Sequence, residues 1–427
     1  MHQKKGQRMK VKTPLRYPGG KSRGVKFLDA FLPESITEYR EPFVGGGSVF
    51  LHARQKYPNA KFWINDAYYN LYCFWKELRD NGDRLVERIN NLKVSCHEEM
   101  SSEQIKAHIK REGLVDKEKS DFYKKQTEKG KALFAYAKDS IESATDFDKA
   151  MYFYILNKCS YSGLTESGTF SPQASIQNFS LQGISKLKRV SELLQGVKIT
   201  CEDYSNLLEN ASEEAFIFMD PPYDLPVKSS NALYGKKGAL HKTFDHQRYH
   251  FFVGCVFRHN MMITYNNTEK LKDLYRDYKQ IEWSLKYGMR ITKNKDGERK
   301  AKDCTNNELM ITNYNTMCQY RKWQKEQREM VKKEQKKLLL KETRKAIAEV
   351  FGEYITAETI NESVYLSEND PGEWAPEAHI IINTENGLPS DAYNPFLAEK
   401  WFEVSDKLPD DYFIETINGA IMAVYDI

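Results

Sequence analysis

The sequence predicts an α/β protein with a doubly wound, largely parallel sheet. Short continuous apolar runs, "AFIFM", "NMMIT" and "NELMIT" among them, are bounded by polar residues and separated by stretches of helical period. Runs without alternation belong to strands buried on both faces, as in a parallel sheet covered by helices. The second observation is "TEYREPFVGGGSVFLHA", a strand that turns through three glycines into a helix.

In chain order, that strand and glycine turn come first. "AKFWIND" reads as a second strand ending in an acid. From Ala67 to about Ala150 the pattern is charged and mostly helical. It includes "YYNLYCFWKELRDNGDRLVERINNL", whose apolar residues recur at helical spacing. An apolar run, "MYFYILNK", precedes "CSYSGLTESGTFSPQASIQNFS", which is rich in Ser, Gly and Thr and is expected to be an exposed hairpin or loop. "GVKITCEDYSNLL" reads as a strand followed by a helix, and "AFIFMDPPY", "NMMITYNN" and "NELMITNY" as three more strands. Residues Cys318 to Phe351 are dominated by Lys, Arg, Glu and Gln and predict a long exposed helix without a sustained heptad. Beyond it lie further β-like runs, "AHIIINT" and "AIMAVYDI". The expected parts are a main domain over 12–317 with a mostly helical insertion at about 67–190, a charged helical connector over 318–351, and a small acidic domain over 352–427. There are no internal repeats.

A chain of 427 residues has room for two or three domains. Its apolar runs all fall short of the ~20 residues that span a bilayer. The basic N-terminus, "MHQKKGQRMKVK", has no apolar stretch behind it and reads as a flexible arm rather than a secretory signal. Seven scattered cysteines without a CxxC pair fit a reducing compartment. Nine histidines without HExxH or His–Cys spacing give no reason to expect a metal. Charge is divided unevenly. Gly352 to Ile427 holds two basic and 16 acidic residues, and the rest of the chain 62 basic and 44 acidic. A basic body suits a polyanionic partner, whereas solvation of both parts is the plainer reading.

Four short motifs carry the candidate chemistry. In "RYPGGKSRG" a Gly-Gly pair lets backbone approach a ligand beside the fixed charge of Lys21, although Pro-Gly and Gly-Gly also mark ordinary turns. In "EPFVGGGSVF" the turn after a strand would let a nucleotide-like ligand rest on backbone. It lacks a full GxGxxG, and a structural turn is the competing reading. Asp66, at the end of the second strand, is placed to accept from ribose hydroxyls or else to cap the following helix. The fourth motif is Asp220, Pro221, Pro222 and Tyr223. Pro-Pro breaks any element, so a β-turn would explain the prolines. It would not explain a buried strand feeding an aspartate, with an aromatic directly after the prolines. An aryl amine is a poor nucleophile because its lone pair is delocalised into the ring. Two acceptors aimed at its hydrogens, the Asp220 carboxylate and the Pro221 carbonyl, would draw it toward a tetrahedral geometry. Tyr223 offers a flat face on which a base can stack.

Taken together and in this order, the motifs resemble those of the Dam-type (alpha-class, DPPY) DNA adenine methyltransferases. The resemblance covers about Lys12 to Tyr314, including the closing "ELMITNY", and not the connector or the acidic domain. It implies a Rossmann-like methyltransferase sheet, S-adenosylmethionine as methyl donor, double-stranded DNA as substrate, base flipping with direct in-line transfer, and a cytoplasmic location in a bacterial cell or encoded by a phage. It also implies that Tyr17, Gly20 and Lys21 contact the cofactor. Phe43, Gly45 and Gly47 would line its methionine end with Glu41 beside them, and Asp66 would hold the ribose. Asp203 and Tyr204 would surround the adenine, and Asp220 would touch both cofactor and target amine. "NKCSYSGLTESGTF" corresponds to the family's base-reading hairpin, but no Arg or Lys lies between Lys158 and Lys186, which departs from the pattern expected for a GATC target. Arg23, Lys26, Lys228, Lys236, Lys237 and Lys242 flank the motifs as candidate phosphate contacts. The acidic domain is a candidate surface for a protein partner or for self-association.

Two other readings stand beside this one. A methyltransferase acting on RNA or a protein amide would share the fold, but amide methyltransferases usually carry Asn at the position of Asp220 and lack the upstream GGK. A DNA-binding regulator with a dead catalytic fold would not need Asp220 to Tyr223 intact.

Overall fold

The computed structural model describes residues 10–96, 102–209, 211–212, 214–224, 243–255, 259–286, 290–293, 299–302 and 305–351, and in the C-terminal part 364–366, 377–381, 403, 407, 412–417 and 421–426. The expected N-terminal arm before Lys10, Lys228, Lys236, Lys237, Lys242 and most of the acidic domain lie outside the described residues. The chain divides into two units between Thr316 and Met317.

The first unit is organised by seven strands: β1 (Glu38–Glu41), β2 (Lys61–Asn65), β3 (Lys198–Thr200), β4 (Ala215–Met219), β5 (Asn260–Asn266), β6 (Lys279–Lys286) and β9 (Thr305–Thr312). Between β6 and β9 lie β7 (Arg290–Lys293) and β8 (Arg299–Lys302), a separate antiparallel pair. The sheet order is β3-β2-β1-β4-β5-β9-β6. The first five strands are parallel, and β9 runs antiparallel between β5 and β6. After β1 the chain builds outward through β2 and β3, then returns to β4 on the other side of β1. That reversal opens a crevice at the carboxyl ends of β1 and β4, the place where open α/β sheets bind ligands.

All five residues of β4 are buried. Successive side chains point to opposite faces, so both faces of the sheet are covered. On one face Ile217 and Met219 meet Tyr204, Leu208, Tyr249 and Val253 from the helices Tyr204–Glu209 and His246–Cys255. Phe216 lies on the other, its ring 6.1 Å from Tyr39 and 6.2 Å from Tyr314.

Nine α-helices fall between β2 and β3 among the described residues. The first, Tyr69–Asp80, buries Leu71, Phe74, Trp75 and Leu78, the one-sided spacing of an amphipathic helix. Its Trp75 indole donates to the Gly45 carbonyl at 3.0 Å, so this helix is built into the glycine turn. "MYFYILNK" lies in the helix Asp146–Cys159, which is buried from Lys149 to Asn157 and starts on a Thr145 cap that accepts from Asp148 N at 3.2 Å. The expectation of an exposed hairpin or loop after it needs correction. That segment has an isolated bridge between Ser160 and Phe170, two short 3-10 turns and the helix Pro172–Asn178. Ser160, Thr165, Ala174, Ser175 and Ile176 are buried.

In the second unit the helix Met317–Phe351 packs against an antiparallel sheet of order β10-β11-β13-β12, formed by β10 (Val364–Leu366), β11 (Glu377–Ile381), β12 (Tyr412–Ile417) and β13 (Ile421–Asp426). Among the described residues, no helix is long and apolar enough to cross a membrane.

The glycine turn is where backbone and packing demands coincide. Gly47 has φ +66°, and a Cβ there would fall 2.7 Å from Trp75. Gly47→Ala is therefore expected to lower stability by about 1–3 kcal/mol. Urea unfolding measures this, and an unchanged midpoint would show that the turn relaxes freely.

Candidate active site

The carboxyl edge of the sheet holds a cavity of about 270 Å³. Of the residues singled out in the sequence, Tyr17, Gly20, Lys21, Glu41, Phe43, Gly45, Asp66, Asp203, Tyr204, Asp220 and Pro222 line it. Gly47, Pro221 and Tyr223 are not among its lining residues. Gly47 is packed on Trp75, Pro221 is buried, and Tyr223 is half-buried against the cluster around β5.

One wall is the glycine turn, on which Tyr17 sits so closely that a Cβ on Gly46 would come within 2.6 Å of the Tyr17 Cβ. Asp66 braces the turn from the next loop. One carboxylate oxygen accepts from Gly45 N at 2.9 Å and the other from Tyr68 N at 3.0 Å. The following helix starts at Tyr69 with Tyr68 at its cap, so Asp66 is not its N-cap. Burial lifts the Asp66 carboxyl to about 6 against these two bonds. Asn65, beside it, is a buried hub. Its amide donates to the carbonyls of Pro42 at 3.1 Å and Glu202 at 3.0 Å, and its oxygen accepts from Glu202 N and Thr200 Oγ1, each at 2.8 Å. One side chain thus ties together the loops that follow β1, β2 and β3.

Glu41 ends β1 and is buried. Burial pushes its carboxyl well above the usual range, and the charges of Asp220 and Asp66 push the same way, while the Tyr39 phenol donates to it and opposes them. At the far end of the cavity the Tyr204 ring lies 5.4 Å from Phe43 and 5.8 Å from Phe244. Its hydroxyl is buried and has no hydrogen-bond partner among the described residues. Arg248 forks onto Asp203 at 2.9 and 3.0 Å and lies over the Tyr204 ring. Burial raises the Asp203 carboxyl, but the bonds from Arg248 and Ser205 outweigh it and hold the group below its ordinary value.

Asp220 follows β4. Lys21 Nζ, from a residue 1% exposed, reaches its two oxygens at 2.7 and 2.8 Å, and Thr264 of β5 donates to Oδ1 at 2.8 Å. The same ammonium lies 5.0 Å from the centre of the Tyr223 ring, and the Tyr223 phenol donates to Glu308 of β9. Among the described donors, Oδ1 accepts two bonds and Oδ2 one, so Oδ2 keeps an acceptor position.

The segment after Asn157 is tied to the first motif. Arg16 N donates to Asn157 Oδ1 at 2.9 Å, Asn157 Nδ2 returns a bond to Arg16 O at 2.7 Å, and Arg16 Nη1 reaches Ser160 O at 3.0 Å. A Cβ on Gly163 would lie 2.1 Å from Arg16 O. Ser162 and Thr165 hold positive φ angles of 55° and 47°. An arginine therefore stands beside this loop after all, supplied by the "RYPGGK" motif. Asn65, Thr264, Phe244, Arg248 and Glu308 were not singled out in the sequence. Glu308, an acid within the last apolar strand, and Asn65, a polar residue one before the strand-end acid, left the only signals.

Residues 17–289 match the model of the D12 class N6 adenine-specific DNA methyltransferases. The chain is 31% identical to the type II methyltransferase M.MjaIII of Methanocaldococcus jannaschii, over 52% of this chain and 73% of that protein. It is 20% identical to M1.LlaDCHI of Lactococcus lactis subsp. cremoris over 62% of this chain and 84% of that one. It is also 20% identical to M.CviBI of Paramecium bursaria Chlorella virus NC1A, over 71% of this chain and the whole of that protein. With the switch-point cavity flanked by Asp220 and the glycine turn, the chain belongs to the D12 class of N6 adenine-specific DNA methyltransferases.

Proposed function

We propose that the cavity binds S-adenosylmethionine and that the methyl group passes in line to the amino group of an adenine flipped out of duplex DNA. The observation that carries this reading is Asp220, fixed at the cavity wall by Lys21 and Thr264 with one acceptor position left on Oδ2. The residues present suit the cofactor. Asp66 has lone pairs left for ribose hydroxyls, and Tyr204, whose hydroxyl has no partner among the described residues, lines the cavity with the rings of Phe43 and Phe244. Glu41, Asp66 and Asp203 make the lining acidic, while Lys21 is already paired with Asp220 and Arg248 with Asp203, so a ligand bearing positive charge fits. Bound S-adenosylmethionine supplies an electrophilic methyl group on a sulfonium sulfur.

The chain's own residues then divide the work. Tyr17, Gly20, Lys21, Phe43, Gly45 and Gly47 shape the cofactor's surroundings, Glu41 faces its amino end, Asp66 takes the ribose, and Asp203 with Tyr204 borders the adenine. Asp220 and the Pro221 carbonyl, held by the stiff Pro221–Pro222 step, accept the two amine hydrogens and stabilise positive charge as it develops on nitrogen. Tyr223 carries the flipped base, whose extraction costs a few kcal/mol. The helical segment at about 67–190 takes the target-recognition role, with Arg23 and Lys26, both exposed, among the phosphate contacts.

Labelled S-adenosylmethionine incubated with unmethylated duplex DNA, RNA or protein tests this reading, and label on RNA or protein alone would sink it. Asp220→Ala would leave the buried Lys21 ammonium without its partner, which costs about 3–5 kcal/mol. Asp220→Asn is the better probe, expected to abolish transfer in a folded protein that still binds cofactor. Near-normal turnover would remove Asp220 from the mechanism.

Asp66 makes a pH prediction. Its folded value of about 6 lies above the ordinary 3.8. The stability it contributes is complete below 3.8 and is lost as pH rises through about 6. Donation from ribose hydroxyls favours the ionised form, so cofactor affinity is expected to rise with pH through about 6. Calorimetry measures this, and a flat profile that persists in Asp66→Asn would end the ribose role.

For the acidic domain we propose that it screens the basic body from non-specific DNA, with a protein partner or self-association as the other uses of its surface. Removing residues 352–427 should then tighten non-specific duplex binding at low salt while cofactor affinity stays unchanged, whereas unchanged DNA binding would dismiss the screening role.

A further inference from the structure

Glu166 lies within the Ser-, Gly- and Thr-rich segment, and both of its carboxylate oxygens are engaged from outside that segment. Oε1 accepts from the Asn70 amide at 2.6 Å and Oε2 from the Tyr68 phenol, 96 and 98 positions earlier in the chain. Asn70 belongs to the first turn of the helix Tyr69–Asp80, and Tyr68 is its cap. Burial and the Glu166 charge both push the Tyr68 phenol above its ordinary value, so it stays a donor. The backbone N–H of the same tyrosine is one of the two that hold the Asp66 carboxylate.

The turn Ser160–Phe170 needs such a clasp. Ser162 and Thr165 hold φ angles of 55° and 47°. Glycine takes such angles without steric cost, whereas a β-branched threonine there is strained. Strained positions persist only where surrounding bonds over-determine them. Here Asn157 donates to the Gly163 carbonyl at 3.3 Å, Lys138 donates to the Gly168 carbonyl at 2.9 Å, and Glu166, next to Thr165, is held by Tyr68 and Asn70. Of these three ties, the one at Glu166 runs to the loop after β2, where Asp66 sits. Between the ties Tyr161 stands 66% exposed, its N–H bonded to the carbonyl of Thr169, which is also exposed. A strained turn held this firmly with its tip in solvent is built to present that tip.

We propose that Glu166 is a positioning residue for DNA recognition: clasped by Tyr68 and Asn70, it holds the strained turn Ser160–Phe170 in the shape that meets the target sequence. This rests on the reading in which the segment at about 67–190 takes the target-recognition role. The effect of Glu166 passes through the turn, while Asp66 keeps its backbone bond from Tyr68 whatever the phenol does.

The test uses the full chain and two duplexes, one carrying the site found to be methylated and one with a single base pair of that site changed. Tyr68→Phe and Glu166→Ala are each expected to raise KM for the first duplex by about tenfold to a hundredfold, as loss of a hydrogen bond to a charged group implies. Their preference for the first duplex over the second should shrink by a similar factor. The kcat at saturating DNA and the affinity for S-adenosylmethionine should be unchanged. The double variant should be no worse than Glu166→Ala, because the phenol then has nothing left to hold. Glu166→Gln should recover most of the loss, since its amide oxygen still accepts from the phenol. A fall in kcat and cofactor affinity alongside KM, with the preference intact, would mark a merely structural role and overturn the proposal, as would losses that multiply in the double variant. Should Glu166→Ala fail to fold, Tyr68→Phe and Glu166→Gln decide alone, and the proposal falls if Tyr68→Phe is normal or if Glu166→Gln is as impaired as Tyr68→Phe. A variant carrying Tyr161→Ala and Thr169→Ala separates the two ideas. Normal KM and preference there show that the turn does not meet DNA, and the recognition reading fails together with the proposal. Loss there, with Tyr68→Phe normal, removes only the clasp.

Discussion

A single ammonium joins the two ends of this site. Lys21 and Asp220 are 199 positions apart, and their pair fixes the first motif against the end of the central strand β4. Buried ion pairs rarely add net stability, because desolvation offsets most of the attraction. Here the lysine is almost wholly enclosed and also donates to the Gly19 carbonyl at 3.2 Å. The contribution of the pair is geometric. It sets the orientation of a carboxylate that Thr264 bonds from the neighbouring strand, and it places positive charge against the ring that follows the prolines.

The same economy governs the other loops. At the carboxyl edge of a parallel sheet, strand-end backbone groups lose their ladder partners and must find others. Asn65 answers for three loops at once, and Asp66 answers for the glycine turn and for the start of the next helix. Trp75 fills the space that glycine leaves at position 47 and takes the Gly45 carbonyl. The cavity is thus walled by groups already bonded to one another, which is how a site keeps its shape before ligand arrives.

Much of this was legible because the chemistry demands particular residue types. Glycines with positive φ, an acid at a strand end and an aspartate before two prolines leave marks that survive without a structure. The strands were legible for a similar reason, since β4 and β5 are buried on both faces and read as unbroken apolar runs. Thr264, Arg248 and Phe244 were not, because a threonine within a strand, or an arginine and a phenylalanine near a helix start, has many ordinary uses. The segment from Ser160 to Ser180 misled for a physical reason. Its Ser, Gly and Thr content is that of a surface loop, yet Asn157 and Arg16 draw it inward through bonds that span about 140 positions. Composition reports local preference, and tertiary hydrogen bonds of this reach override it.

The acids of the cavity show why the fold tolerates so much unfavourable burial in one place. Glu41 is held far above its ordinary value and Asp66 is raised to about 6, each by loss of water, while Asp203 is rescued by an arginine fork. A fold selected only for stability would place an apolar residue at Glu41, as its buried cross-strand partner Ile64 suggests. Keeping Glu41 places at the cavity wall a buried carboxyl whose ionised form a neighbouring positive charge would favour, at a cost in stability. Glu308 is a further buried acid at this edge, and it accepts from the Tyr223 phenol. On this view the scaffold is ordinary α/β packing, and the departures from it mark where the two substrates meet.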